Sequence, residues 1–213
     1  MNTLIKTIYF VRHGESQGNI DRHFRGKNNA LTENGEAQVK ALAQRFDGIP
    51  INIVIETSKI RSKQTAQAIN EIKHISVLEN DLFLERKGDF EYLAEFKHLS
   101  RPELVEAMRK KLDMPEWEAG EQELFHHLQE RARKAIAYLE QLSHENILVV
   151  THGAYLKFLV FYALLGDSMT EEQAAVLMNG VGIQNTGITI MKFYTEPKKK
   201  WKLITWNDKA HIT

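Results

Sequence analysis

Two rhythms of apolar residues alternate along this chain. Short runs with little alternation, Ile8–Val11, Ile51–Ile55 and Ile147–Val150, have the pattern of strands covered on both faces. Between and after them apolar residues recur at helical spacing. Ala37, Val39, Ala41, Leu42 and Phe46 share a face behind Thr32, whose hydroxyl suits an N-cap. Thr65, Ala66, Ala68, Ile69 and Ile72 predict a second helix, leading to a short strand at Ile75–Leu78. Leu124, Leu128, Ala132, Ala135, Ile136, Leu139 and Leu142 predict a long third helix. Leu156, Phe158, Leu159, Tyr162 and Leu165 predict a fourth, closed by Gly166.

Strands alternating with helices predict an α/β fold, a mostly parallel sheet flanked by helices on both faces. The C-terminal part differs. Gly187–Phe193 and Trp201–Trp206 read as a β-hairpin finishing a sheet edge, with Lys198–Lys200 in its solvated tip. From about Arg86 to Gly120 no strand–helix unit is legible. Phe90, Tyr92, Leu93, Phe96 and Leu99 precede a short helical pattern over Pro102–Leu112 and then Met114-Pro115-Glu116-Trp117. This stretch, 86–120, reads as an insertion over the active-site edge of a single domain spanning 1–213. There is no internal repeat.

Composition narrows the function. The 213 residues carry 28 Lys+Arg against 28 Asp+Glu, which demotes a nucleic-acid binder held by phosphate contacts. The absence of cysteine removes disulfides, Cys-ligated zinc, iron–sulfur clusters and thiol nucleophiles. The apolar stretch from Phe158 to Leu165 is far short of the ~20 residues that span a bilayer. The expectation is a cytoplasmic protein that contacts neither membrane nor nucleic acid. The sequence leaves its oligomeric state open.

In an open parallel sheet, ligands bind beyond the carboxyl ends of the strands. The first predicted strand ends in Arg12-His13-Gly14-Glu15-Ser16 and the third in Thr151-His152-Gly153. The second leads through Glu56-Thr57-Ser58-Lys59-Ile60 to Arg61. Taken singly, a histidine at a strand end is more often a hydrogen-bonded structural residue, and an arginine a surface ion pair. Two of each, all at strand ends, point to one anion-binding crevice.

These residues, in this order, resemble the histidine phosphatase superfamily, the phosphoglycerate-mutase-like family, in its first branch. The resemblance runs over nearly the whole chain. It rests on Arg12 to Ser16 with Asn19, Leu31-Thr32-Glu33-Asn34-Gly35, Ser58 to Ala66, Glu85, Thr151-His152-Gly153 and Asn207 to His211. It implies a nucleophilic His13 that forms a phosphohistidine. Arg12 and Arg61 would bind the phosphoryl oxygens as planar, permanently charged forks. His152 and Asn19 would add donors, and the backbone from Gly153 would offer a helix N-terminus to the anion. Such a set balances phosphoryl charge without a divalent cation, so neither metal nor cofactor is expected.

The resemblance also implies an acidic residue that protonates the leaving group and then deprotonates water. Glu85 occupies that place. Gly88 follows Glu85 after two residues where the family commonly has three, which leaves Asp81 and Glu91 as alternatives. The remaining histidines carry structural readings. His126-His127 diverge around a helix, His23 borders the crevice or caps a turn, and His211 is structural; His74, His98 and His144 lie at the surface. Trp201 and Trp206 read as packing, with Trp117 alone placed to touch a substrate.

The implied function is a phosphomonoesterase acting on a small phosphorylated metabolite and releasing inorganic phosphate. A mutase that returns the phosphoryl group to a bound product ranks lower, because Glu85-Arg86-Lys87-Gly88 lacks the His-Tyr-Gly continuation of cofactor-dependent phosphoglycerate mutases. A phosphoprotein phosphatase fits less well beneath the insertion. A non-catalytic phospholigand-binding module is argued against by the presence of His13, Arg12, Arg61 and His152 together.

Overall fold

The computed structural model describes residues 3–20, 29–86, 115–196 and 200–212, with backbone alone for 115–124. Its elements are β1 (Leu4–Arg12), α1 (Gln17–Ile20), α2 (Glu33–Phe46), β2 (Ile53–Glu56), α3 (Ile60–Lys73) and β3 (Val77–Glu79). They continue with α4 (Pro115–Gln141), β4 (Asn146–Thr151), α5 (Gly153–Leu165), α6 (Glu171–Gly180), β5 (Ile188–Tyr194) and β6 (Trp201–Asp208).

Among the described residues the strands form one sheet in the order β3-β2-β4-β1-β5-β6. The pairs β2–β3, β2–β4 and β1–β4 are parallel. The pairs β1–β5 and β5–β6 are antiparallel, which places the expected hairpin at one edge. Pairing with β5 extends β1 back to Leu4, four residues before the apolar run begins. Exposed Leu4 and Ile5 carry no burial signal in the sequence.

Strand geometry sends alternate side chains to opposite faces. Ile8, Phe10, Ile53, Ile55, Ile147 and Val149 meet α4 and α5 on one face. Val11, Val54, Leu148 and Val150 meet Leu42, Ala43, Phe46, Ala66 and Ile69 of α2 and α3 on the other. Burial on both faces is why these strands read as near-continuous apolar runs. Lys6 is the buried charged residue of β1. It is only 5% exposed, and its ammonium donates to the carbonyls of Leu142 and His144, favourable charge at the C-terminal end of α4.

Local chemistry sets the helix ends. The Thr32 hydroxyl accepts from Gly35 N at 2.9 Å and starts α2. Gly166, at φ 62°, ends α5 in a conformation that side chains disfavour. Within the stretch 86–120, residues 115–120 are helical and run continuously into the rest of α4. The remainder of that stretch, 87–114, lies outside the described residues. Helix α6 was not expected. Its apolar face is short, and its clearest signal is a capping box in which Thr170 and Gln173 bond each other's backbone. No helix among the described residues is long and apolar enough to cross a membrane.

Candidate active site

Because β1, β2 and β4 are parallel neighbours, their carboxyl ends share one edge. His13 continues from β1, its N–H donating to Thr151 O at 3.0 Å. His152 caps α5 after β4, and Arg61 stands in the first turn of α3 after β2. The rings of His13 and His152 lie 5.2 Å apart and are almost completely buried.

Arg61 bridges them. Its Nε donates to His13 Nε2 at 3.0 Å and its Nη2 to His152 Nδ1 at 3.1 Å. An arginine only donates, so both of those nitrogens present lone pairs. The ring protons therefore sit on the opposite nitrogens. His13 Nδ1 donates to Gly14 O at 2.7 Å, and His152 Nε2 donates to Thr57 Oγ1 at 3.0 Å. Burial, then His152, Arg61 and Arg12, holds the His13 pKa well below the usual histidine value. Burial, then Arg61, Lys59, Arg12 and Arg131, does the same to His152. Two neutral imidazoles result, each locked in one tautomer.

Close backbone approach fixes the loops that carry these groups. A Cβ on Gly14 would lie 2.6 Å from Val39 Cγ1, and one on Gly35 would run into the Glu15 carbonyl. Thr65 accepts from Gly14 N at 3.0 Å and donates to Arg61 O at 2.7 Å, tying the His13 loop to α3. A Cβ on Gly153 would lie 3.1 Å from Arg12 Nε, so the guanidinium rests in space that glycine leaves. Arg12 Nη1 donates to Ile183 O at 2.9 Å, while its Nε is buried without a partner among the described residues. Burial pulls the Arg12 pKa down and Glu85 pulls it up.

Glu85 takes up part of the helix start that follows Gly153. Ala154 N donates to Glu85 Oε2 at 3.3 Å, and Tyr155 N and Arg86 N donate to Oε1 at 2.8 and 2.9 Å. The start of α5 thus holds an internal carboxylate, which acts on the charges of both Arg12 and Arg61. Asp81 is exposed and accepts from Ser58 N at 2.8 Å, where it caps the approach to α3. Glu91, His23 and His98, like the side chain of Trp117, lie outside the described residues.

Asn19 lies at the exposed rim. Its Oδ1 accepts from Ser16 N at 3.1 Å and from Asn185 Nδ2 at 3.0 Å, and the same Asn185 nitrogen donates to His13 O at 2.9 Å. Asn185 and its neighbour Thr186 were not anticipated. Thr186 is buried at φ 57°, a strained conformation for a β-branched residue, and its N–H donates to Arg12 O at 2.9 Å. His211 Nε2 lies 3.2 Å from Thr186 Oγ1, which gives that histidine its structural place. Thr57, the acceptor that sets the His152 tautomer, carries no signal of that role in its sequence surroundings.

Comparison with known proteins agrees with this geometry. The chain is 27% identical over 210 residues to "Uncharacterized phosphatase PhoE" of Bacillus subtilis, covering 97% of this chain and 96% of that one. It is 27% identical over 215 residues to "Probable phosphoglycerate mutase GpmB" of Klebsiella pneumoniae, with 96% and 94% coverage. A putative alpha-ribazole-5'-P phosphatase from Escherichia coli shares the fold, with a TM-score of 0.72 at 24% identity over 96% of this chain and 98% of that one. The model of the histidine phosphatase superfamily, branch 1, matches residues 8–209, and the chain belongs to that family.

Proposed function

We propose that His13, Arg12, Arg61, His152 and Glu85 form the catalytic centre of a phosphomonoesterase for small phosphorylated metabolites. The observation that carries this reading is the neutral His13 whose Nε2 lone pair faces Arg61. A phosphoryl group entering between the two histidines competes for the guanidiniums of Arg61 and Arg12, and so releases that lone pair.

The Nε2 lone pair then forms the N–P bond while the ester P–O bond breaks towards the leaving oxygen. Glu85, having taken up the proton that a monoanionic ester brings in, gives it to that oxygen. In the second half, the Glu85 carboxylate takes a proton from water as the water oxygen bonds to phosphorus and the N–P bond returns its electrons to His13. Inorganic phosphate leaves with that proton as its monoanion, and the resting carboxylate is restored. Arg12, with its unpartnered Nε, and Arg61 balance charge on the phosphoryl oxygens. Once Arg61 turns to the ligand, His152 Nδ1 is free to take up a proton and join them as a donor; Gly153 makes room for Arg12, and Asn19 contributes its amide hydrogens at the rim. The mutase reading differs only in which oxygen accepts the phosphoryl group from His13.

The test is turnover of an aryl phosphate. His13→Ala should abolish it with the melting temperature preserved, and wild type quenched in mid-reaction should carry acid-labile, base-stable phosphate on His13. Substantial turnover by His13→Ala overturns the mechanism. Isomerisation of a phosphoglycerate without net release of phosphate would select the mutase.

A further inference from the structure

An open cleft of about 560 Å³ extends from Arg12 and Gly153 along α5 to α6. Its polar walls are Arg12, Glu85, Arg86, Lys157 and Asn179, and Ile183 supplies apolar surface. With Arg12 assigned to the phosphoryl group, two cations, Arg86 and Lys157, remain for whatever is attached to it. The one carboxylate among the described walls, Glu85, already accepts three backbone N–H groups.

Lys157 differs from the surface cations that are spent on ion pairs. Lys63, Arg133 and Lys134 each pair with a carboxylate, at 2.6, 2.7 and 2.8 Å. Among the described residues Lys157 has no such pair. Its Nζ donates to Met178 O at 2.8 Å, which leaves two ammonium hydrogens for a ligand. Burial and the Arg12 charge lower its pKa, while Glu85 raises it, so the ammonium stands in the field of the reacting centre. Lys157 follows Gly153 by four residues on one helix face, about 6 Å along the axis.

We infer that this cleft receives the leaving-group half of the substrate and that Lys157 binds a second acidic group there, either a carboxylate or a second phosphate. The inference rests on the phosphomonoesterase reading. It makes Lys157 a specificity residue, whose charge is used only by substrates with an acid a short carbon chain away from the ester.

The experiment uses two matched pairs of esters. The first is 3-phosphoglycerate against glycerol 3-phosphate, which differ by a carboxylate in place of a hydroxymethyl group. The second is propane-1,3-diol bisphosphate against its monophosphate. The ratio of kcat/KM within a pair, taken separately for each enzyme, cancels any general loss of activity. Wild type should prefer the acidic member of at least one pair. Lys157→Met should lower that ratio about tenfold or more, mainly through KM, and Lys157→Arg should keep most of it. The pair that responds identifies the acid. An unchanged ratio in Lys157→Met, or no preference by wild type in either pair, overturns the inference. If wild type hydrolyses neither these esters nor an aryl phosphate, the phosphomonoesterase reading fails and takes this inference with it.

Discussion

Arg61 Nε and His13 Nε2 lie 3.0 Å apart, with the guanidinium donating to the nitrogen whose lone pair would attack phosphorus. A base is usually kept ready by a partner that accepts its proton. Here a permanent cation covers the electron pair, and it does so on both histidines at once. The resting site is electrically suited to an anion and unsuited to a proton, because protonating either ring would set a charged imidazolium against Arg61.

The acid is the residue most in need of a direct test. Glu85→Gln should slow hydrolysis of alkyl phosphates by about 10²–10⁴-fold and that of nitrophenyl phosphate much less, since nitrophenolate leaves with little protonation. Asp81→Asn, at an exposed capping position, should behave like wild type in the same comparison. A leaving-group-dependent defect in Glu91→Gln, with Glu85→Gln unaffected, would move the assignment to Glu91.

Thr57 acts through His152, so its effect should appear in kcat and in the ring signals more than in KM. Thr57→Val keeps the shape but leaves the buried Nε2–H of His152 without an acceptor, a cost of about 1–3 kcal/mol. The expected result is lower stability, a kcat reduced by at least tenfold, and altered ¹⁵N shifts of His152. Thr57→Ser should restore all three. Failure of serine to rescue would show that packing of the methyl group is what matters.

Acid should destabilise the protein before its carboxylates titrate. His13 and His152 bind protons less readily in the fold than the usual histidine value near 6.5. In that window the unfolded chain takes up protons that the folded chain refuses. Stability is therefore full above pH ~6.5 and falls as pH drops towards the folded-state values, by at most ~1.4 kcal/mol per pH unit for each ring. Melting temperatures between pH 7.5 and 5 should show this slope, and His152→Asn should flatten it. A flat profile in wild type would mean that the rings are not held neutral.

Turnover should survive a chelator and be inhibited by vanadate, because Arg12, Arg61 and the two histidines supply the charge and geometry that a five-coordinate oxyanion needs. Loss of activity with a chelator, restored by magnesium or zinc, would assign the charge balance to a metal instead.

How much of this was legible follows from what kind of information each feature needs. Burial on both faces writes itself into composition, so Ile8–Val11 and Ile147–Val150 stood out, and the strand-end chemistry of Arg12, His13, Arg61 and His152 stood out with them. The capping of α2 by Thr32 was equally local. The position of Glu85 on the α5 N–H groups depends on a contact between residues seventy positions apart, and spacing alone could not separate it from its neighbours. Nor could the tautomers be read, since they depend on which nitrogen Arg61 reaches. The left-handed Thr186 had no signal, because a β-branched residue argues against that conformation. Helix α6 was readable from its capping box, but its apolar stripe is too weak to announce it.

The carboxylate seated at the start of α5 ties two events that are ordinarily separate. Arg86, Ala154 and Tyr155 hold Glu85 through their N–H groups, and that grip is strongest while the carboxyl is ionised. A proton arriving on Glu85 loosens the grip, and a proton leaving it tightens the first turn of the helix again. On the proposed mechanism, each catalytic cycle would therefore also loosen and retighten the first turn of α5, the helix whose next turn carries Lys157.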